Sequence, residues 1–260
     1  MSFPNIIYGR YGDEKVAQST KIGNLPLGKP MVLPDGREYV HAKASTAAAL
    51  SAGYLACGSV ITVAGTSTEF GLVAASAVVG ATTVVVTLAA GTAMIADQWA
   101  EGYLVTASST GTGIGRLYKV KTSNSAAAAS TCTITLEPAD PLESAIAGGT
   151  TRVGLRENLL NNVTVTPAAT SLPGELVGVP TVAMSAGFYG WFQRKGYSSA
   201  YAVTGTALVT GDQVVAATGY AGAFGPVIAG TAWNARSEKP LGIALGIANT
   251  TGFTVVDLDI

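Results

Sequence analysis

The sequence is poor in the side chains that carry chemistry. It has one histidine, two cysteines and three tryptophans in 260 residues, and only 12% of its residues are charged, against a usual share of about 25%. The single histidine, His41, confines any mechanism that needs an imidazole base to one position in a proline- and glycine-rich stretch. Cys57 and Cys132 stand apart, with no CxxC spacing and no Cys/His cluster, so they fit neither a zinc site nor a disulfide framework and read as two small buried hydrophobes. A formal net charge of −1 supplies no positive field to gather phosphates, and the expectation is no nucleic-acid partner. So few charges on a chain long enough to bury a core predict that much of its surface is hidden in an assembly.

The opening stretch MSFPNIIYGRYGDEKV lacks the basic start and apolar centre of a secretory signal, which predicts synthesis and use in a cytoplasm. One uncharged run, residues 72–96 (LVAASAVVGATTVVVTLAAGTAMIA), is long enough to cross a bilayer. Gly80 and Gly91 interrupt it and Thr and Val fill it, so it reads as two strands and a turn, with no membrane partner expected.

What the sequence does have is alternation. In TCTITLEP, Cys132, Ile134 and Leu136 alternate with Thr131, Thr133 and Thr135, the pattern of a strand with one wet face. Similar runs recur as SVITVAG, TTVVVTL, GYLVTA, RLYKVKT, NNVTVTP, GFYGWFQRKG, SAYAVTG, DQVVAAT, LGIALGIA and FTVVDLDI. In the last of these, Val256, Leu258 and Ile260 face one way and Asp257 and Asp259 the other. The predicted fold is all-β, mostly antiparallel sandwiches or barrels, with a minor helix over PLESAIA (141–147). Residues 1–43 are charge-rich and broken by proline or glycine every few positions, with turns at Gly23-Asn24 and Asp35-Gly36. They are read as an extended N-terminal arm, followed by a β-rich middle domain (44–160) and a β-rich C-terminal domain (161–260).

The search for chemistry finds little. AMSAG around Ser185 departs from a nucleophile elbow at its first glycine, and GTGIGR (111–116) has the wrong spacing for a dinucleotide loop and is followed by a strand. Glu137, Asp140 and Glu143 form an acidic cluster without an EF-hand pattern. Asp257 and Asp259 share a strand face but lack the support an acid/base pair needs. The expectation is therefore no enzyme, no catalytic residue, no metal and no cofactor.

The densest aromatic stretch is Phe188, Tyr189, Trp191 and Phe192, with both faces apolar up to Gln193. It predicts a core or intersubunit strand, ended by a polar turn at Arg194-Lys195-Gly196.

Three stretches, GKPMVLPDGREYVHAKA, GATTVVVTLAAGTAMIADQWAEGYLVTASSTGTGIGRLYKVKTS and YGWFQRKG with the later ALVTGDQVVAAT and PLGIALG, resemble tailed-bacteriophage capsid decoration (cement) and head-fibre-like virion proteins. The resemblance implies a structural protein, made in the host cytoplasm, that binds the outer surface of the major capsid protein lattice and stabilises the head as a homotrimer. It casts residues 1–43 as the capsid-binding segment, with Tyr8, Arg10, Tyr11, Arg37, Tyr39 and His41 as contacts, since aromatic and Arg side chains dominate interface energetics. The alternative is a tail or fibre protein that grips a host glycan receptor through exposed aromatics such as Tyr197, Tyr201, Tyr220 and Trp233.

Overall fold

Thr/Val-rich alternation with frequent glycine favours pleated backbone over helix, and the structure follows it. The structure, a computed structural model, describes residues 5–58, 68–91, 93–107, 114–168, 172, 174–203, 208–227, 240–246 and 252–260. It is nearly all β, with no helix of seven residues or more among the described residues. Short 3-10 turns occur at Asp13–Lys15, Ile22–Asn24 and Leu159–Asn161. The chain forms two units: Met1–Ser59 joins Leu159–Ile260 in one, and Val60–Asn158 is the other, inserted between them in sequence.

To number the strands, the first segment of the larger unit holds β1 (Ile7–Tyr8), β2 (Ala17–Gln18), β3 (Pro30–Val32), β4 (Glu38–Lys43) and β5 (Ala56–Gly58). The inserted unit holds β6 (Thr68–Ala74), β7 (Thr83–Thr87), β8 (Tyr103–Thr106), β9 (Leu117–Ser123), β10 (Thr131–Leu136) and β11 (Arg152–Arg156). The second segment of the larger unit holds β12 (Val163–Val165), β13 (Leu176–Pro180), β14 (Tyr189–Tyr201), β15 (Gln213–Ala216), β16 (Phe224–Pro226), β17 (Gly242–Ala244) and β18 (Phe253–Asp259).

The inserted unit is a closed barrel in the order β10-β7-β6-β11-β8-β9. Its interior is filled by one residue in two from each strand, as a six-stranded barrel requires. Val84 and Val86 of β7 meet Cys132, Ile134 and Leu136 of β10, with Tyr118, Leu104 and Leu155 behind them, and Trp99 closes the cluster with no exposed surface. Cys132 donates to Asn124 Oδ1 at 3.1 Å, and burial pushes its thiol up to about 11.

The barrel is built twice over. The run β6–β7–β8 has the same connectivity as β9–β10–β11, and exchanging the two runs returns the same ring of neighbours. The backbone hydrogen bonds repeat with it. Ala77 and Ile146 exchange both of theirs, as do Met94 and Ala126. Leu88 N donates to Ser130 O at 3.0 Å where Leu136 N donates to Thr82 O at 2.8 Å, and Asp97 N donates to Ser123 O at 2.8 Å where Gly149 N donates to Ala74 O at 3.2 Å. The turn that carries Gly80 at φ 82° in the first half carries Ala129 at φ 56° in the second, so an alanine occupies a left-handed position for which glycine is suited.

In the larger unit the main path is β1-β3-β4-β14-β18-β17-β15-β16, with β2, β13, β5 and β12 attached off it. Residues 1–43, expected as an extended arm, supply β1 to β4 of this sheet. Residues 30–40 form a hairpin around Asp35-Gly36, and Met31, Leu33 and Tyr39 are buried with Trp191. The proline and glycine punctuation marks that hairpin's turn. The unit is thus completed by residues before position 60, so residues 161–260 share their core with the start of the chain.

The strand β14 organises this unit. Its first half pairs with β4 from Tyr189 to Lys195 and its second half with β18 from Lys195 to Tyr201. Trp191 and Phe192 are buried on opposite faces, Trp191 against Leu25, Met31 and Tyr39, and Phe192 against Val40, Leu50 and Met184. Arg194-Lys195-Gly196, expected as the turn that ends a strand, instead lies within one 13-residue strand. The register against β4 shifts between Gln193 and Lys195, and Gly196 has φ 83°. What holds the kink is Gln193: it is 1% exposed, and its Nε2 lies 3.1, 3.1 and 2.9 Å from the carbonyl oxygens of Lys195, Gly196 and Tyr197.

Two further expectations meet the structure differently. Residues 141–147 form no helix; Leu142 and Ile146 are buried in the barrel and bond through their backbones to Ala81 and Ala77. The uncharged run 72–96 spans the end of β6, all of β7 and the loops beside them, and among the described residues no helix is long and apolar enough to cross a membrane. The run SVITVAG lies outside the described residues.

Two outcomes follow from this packing. Replacing Gln193→Leu keeps the volume but strips the kink carbonyls of their donor, and should lower unfolding free energy by about 2–3 kcal/mol in urea titrations. Ala129→Gly relieves a left-handed alanine and should raise stability by about 0.5–1 kcal/mol, read as a higher melting temperature of the barrel.

Candidate functional site

The long second half of β14 carries the site. Because β18, β17 and β15 follow it side by side, residues far apart in sequence fall into one cross-strand row. Tyr197 lies opposite Asp257, Asp257 opposite Ile243, and Ile243 opposite Gln213. With strands about 4.8 Å apart, the row spans about 14 Å. Alternation along β18 puts Val256 and Leu258 inward and leaves Val255, Asp257 and Asp259 outward.

The row forms the floor of an open cavity of about 1050 Å³. One wall is the β3–β4 turn, Asp35 to Arg37. Two glycines make this closeness possible. A Cβ on Gly196 would lie 2.9 Å from Arg37 Cγ, and one on Gly242 (φ 152°) would run into the Asp257 carbonyl oxygen.

The charges around the cavity are unevenly used. Arg37 Nε pairs with Asp35 Oδ2 at 2.7 Å and its Nη1 donates to the Tyr39 hydroxyl at 2.9 Å; Lys195 Nζ sits 3.6 Å from Glu38 Oε1. Burial pushes the Tyr39 hydroxyl up to about 12, so it stays protonated. The carboxylates of Asp257 and Asp259 have no hydrogen-bond or ion-pair partner among the described residues. The ring of Tyr197 is 65% exposed. Val255 (45%) and Phe253 (39%) continue the exposed apolar surface along the same face of β18.

The residues expected to contact a capsid separate into two groups. Tyr8 and Tyr11 are 83% and 63% exposed, and Arg10 between them is exposed as well. Arg37 is half-buried and engaged as above. Tyr39 and His41 are 1% and 0% exposed, inside their own fold, so neither presents a surface to a partner in this conformation. His41 lies opposite Trp191 on β4 and β14, its ring 5.3 Å from that of Trp191 and 5.9 Å from that of Tyr189, with Nδ1 3.3 Å from the Pro26 carbonyl. Of the aromatic stretch, Phe188 and Tyr189 are half-buried, while Trp191 and Phe192 are core.

Of the described aromatics considered for glycan binding, Tyr197 lines the cavity and Tyr201 and Tyr220 do not. Tyr201 stacks on Tyr54 at 4.5 Å, Tyr220 is 38% exposed in a loop, and Trp233 lies outside the described residues. The acidic cluster is engaged locally: Asp140 Oδ2 accepts from Lys119 N at 2.6 Å and Glu143 pairs with Arg116. No group of three or more potential metal ligands occurs among the described residues. Sequence reading named Tyr197, Asp257 and Asp259 separately. It missed Gln213 and Ile243 and named Arg37 only as a capsid contact; strand register alone brings the three beside Tyr197.

His41 gives the fold a pH dependence. Burial, with a smaller effect of the Lys21 charge, holds its pKa below the ordinary 6.5 against the opposing bond to Pro26. The unfolded chain therefore takes up a proton that the folded chain refuses, so stability is full above pH 6.5 and falls as the pH drops toward the folded value. Urea midpoints measured between pH 7.5 and 5.5 should decline, and His41→Phe should flatten that decline.

No protein-family model matches this sequence, and neither a curated protein nor a solved structure matches it.

Proposed function

We propose that the chain is a structural protein of a tailed-phage virion, a capsid decoration protein that binds the outer surface of the major capsid protein lattice as a homotrimer and stabilises the head. The reading starts from the resemblance in the three sequence stretches. The observation that carries it further is the exposure of Tyr8, Arg10 and Tyr11, in and just after β1, the terminal strand of the sheet path. Exposed tyrosine and arginine are what protein interfaces are enriched in. In this reading the capsid contact narrows from the whole of residues 1–43 to these exposed side chains, because Met31, Leu33, Tyr39 and His41 are needed inside the fold. The chain is not an enzyme in this reading: its one imidazole and both thiols are buried.

A tail or fibre role is the second reading, favoured by the open cavity beside Tyr197. Imaging the virion separates the two, since density for this chain belongs on the shell lattice in the first case and on the tail in the second.

The substitutions Tyr8→Ala and Tyr11→Ala together should weaken co-sedimentation with capsids by about tenfold or more, the scale of losing one to two interface anchors, with the thermal unfolding midpoint unchanged. Unaltered capsid binding, or a purified protein that sediments only as a monomer, counts against the proposal.

A further inference from the structure

The cavity over β14, β18, β17 and β15 has a chemistry of its own, separate from the exposed tyrosines beside β1. Its floor offers a flat, exposed ring at Tyr197. Directly across the strand pair from that ring is the Asp257 carboxylate, and two residues along β18, on the same face, is Asp259. Each ionised carboxylate is an acceptor with several lone-pair sites and no donor of its own. Both lack protein donors among the described residues, whereas Arg37 pairs with Asp35, and Lys195, opposite Asp259 in the register, reaches Glu38. Gln213, exposed at the far end of the row, adds an amide that donates and accepts. Ile243 lies between Asp257 and Gln213 in that row and contributes an apolar step.

These properties narrow the ligand class. The unmatched charge in the cavity is negative, so phosphates, nucleic acids and acidic sugars are repelled. Two carboxylates without a third ligand do not make a metal site, and no such cluster occurs among the described residues. A purely apolar ligand would leave the carboxylates desolvated and unpaired. What fits is a molecule with an apolar face to lie on the tyrosine ring and a rim of hydroxyl donors to meet free carboxylates and an amide. We infer that this cavity binds an uncharged, hydroxyl-rich glycan, with a pyranose ring on Tyr197 and its hydroxyl groups donating to Asp257 and Asp259.

The inference does not depend on where the chain sits in a virion, because it concerns a face of the protein other than the one proposed for capsid contact. It is tested on the full chain with a printed array of neutral hexose and N-acetylhexosamine oligosaccharides beside sialylated and sulfated ones. Saturation-transfer NMR is then run on the oligosaccharides retained. The expected result is retention of neutral oligosaccharides only, with affinity reduced about tenfold or more in Tyr197→Phe/Asp257→Asn, a variant that keeps the volume of both side chains, and still further in Tyr197→Ala. Circular dichroism should be unchanged in both variants, and Tyr8→Ala should bind as the parent does. Binding should persist in about 0.5 M sodium chloride, where charges are screened beyond a few ångströms. An empty array, preference for acidic glycans, loss of binding in salt, or equal affinity in the Tyr197 and Asp257 variants would overturn it. So would sedimentation in which Tyr197→Ala abolishes self-association of a protein that binds no sugar, since the face would then be a contact between copies.

Discussion

One buried amide governs the larger unit. The strand β14 serves two sets of neighbours, β4 along its first half and β18 along its second, and its register against β4 shifts where the two halves meet. The kink at residues 193–196 redirects it, but a kink takes carbonyls out of the ladder, and buried carbonyls need donors. The two N–H groups of Gln193 Nε2 are shared from inside among the carbonyl oxygens of Lys195, Gly196 and Tyr197. Beyond the kink, the row from Tyr197 to Gln213 is held by the ladders of β14 with β18, β18 with β17 and β17 with β15.

The inserted barrel solves a different problem by repetition. A six-stranded barrel has a narrow interior, and small or β-branched side chains fill it without strain. Two runs of three strands close on each other, and each supplies the loop whose backbone groups the other run satisfies, as the Ala77–Ile146 and Met94–Ala126 pairs show. Closure pairs each of the six strands with a neighbour on both sides. The sheet of the larger unit, by contrast, leaves Tyr197, Val255 and Phe253 exposed.

Strand identity was legible because alternation is local. The pattern of Cys132, Ile134 and Leu136 against threonines places the inner face of β10 without any knowledge of its partners, and the same holds for Val256 and Leu258 in β18. The helix over 141–147 was misread because proline and alanine also suit a loop whose Leu142 and Ile146 are claimed by the barrel. The turn at Arg194-Lys195-Gly196 was misread for a related reason: polar residues and a glycine mark a change of direction, and only the neighbouring strands reveal that the strand continues through it. The repeat within the barrel is veiled because backbone bonds carry it, while the side chains differ, as valines in β7 against cysteine and isoleucine in β10.

The sequence by itself determined an all-β chain, a buried pair of thiols, a single histidine and an aromatic strand apolar on both faces, since each depends on composition or on a period of two residues. The tertiary structure decided which strands are neighbours. That choice turned residues 1–43 from an arm into part of a core, buried Tyr39 and His41, left Tyr8 and Tyr11 outside, and set Tyr197, Asp257, Ile243 and Gln213 in one row. The physical reason is register: hydrogen bonds between backbones are indifferent to side-chain identity, so the pairing of distant strands is settled only by packing the whole sheet.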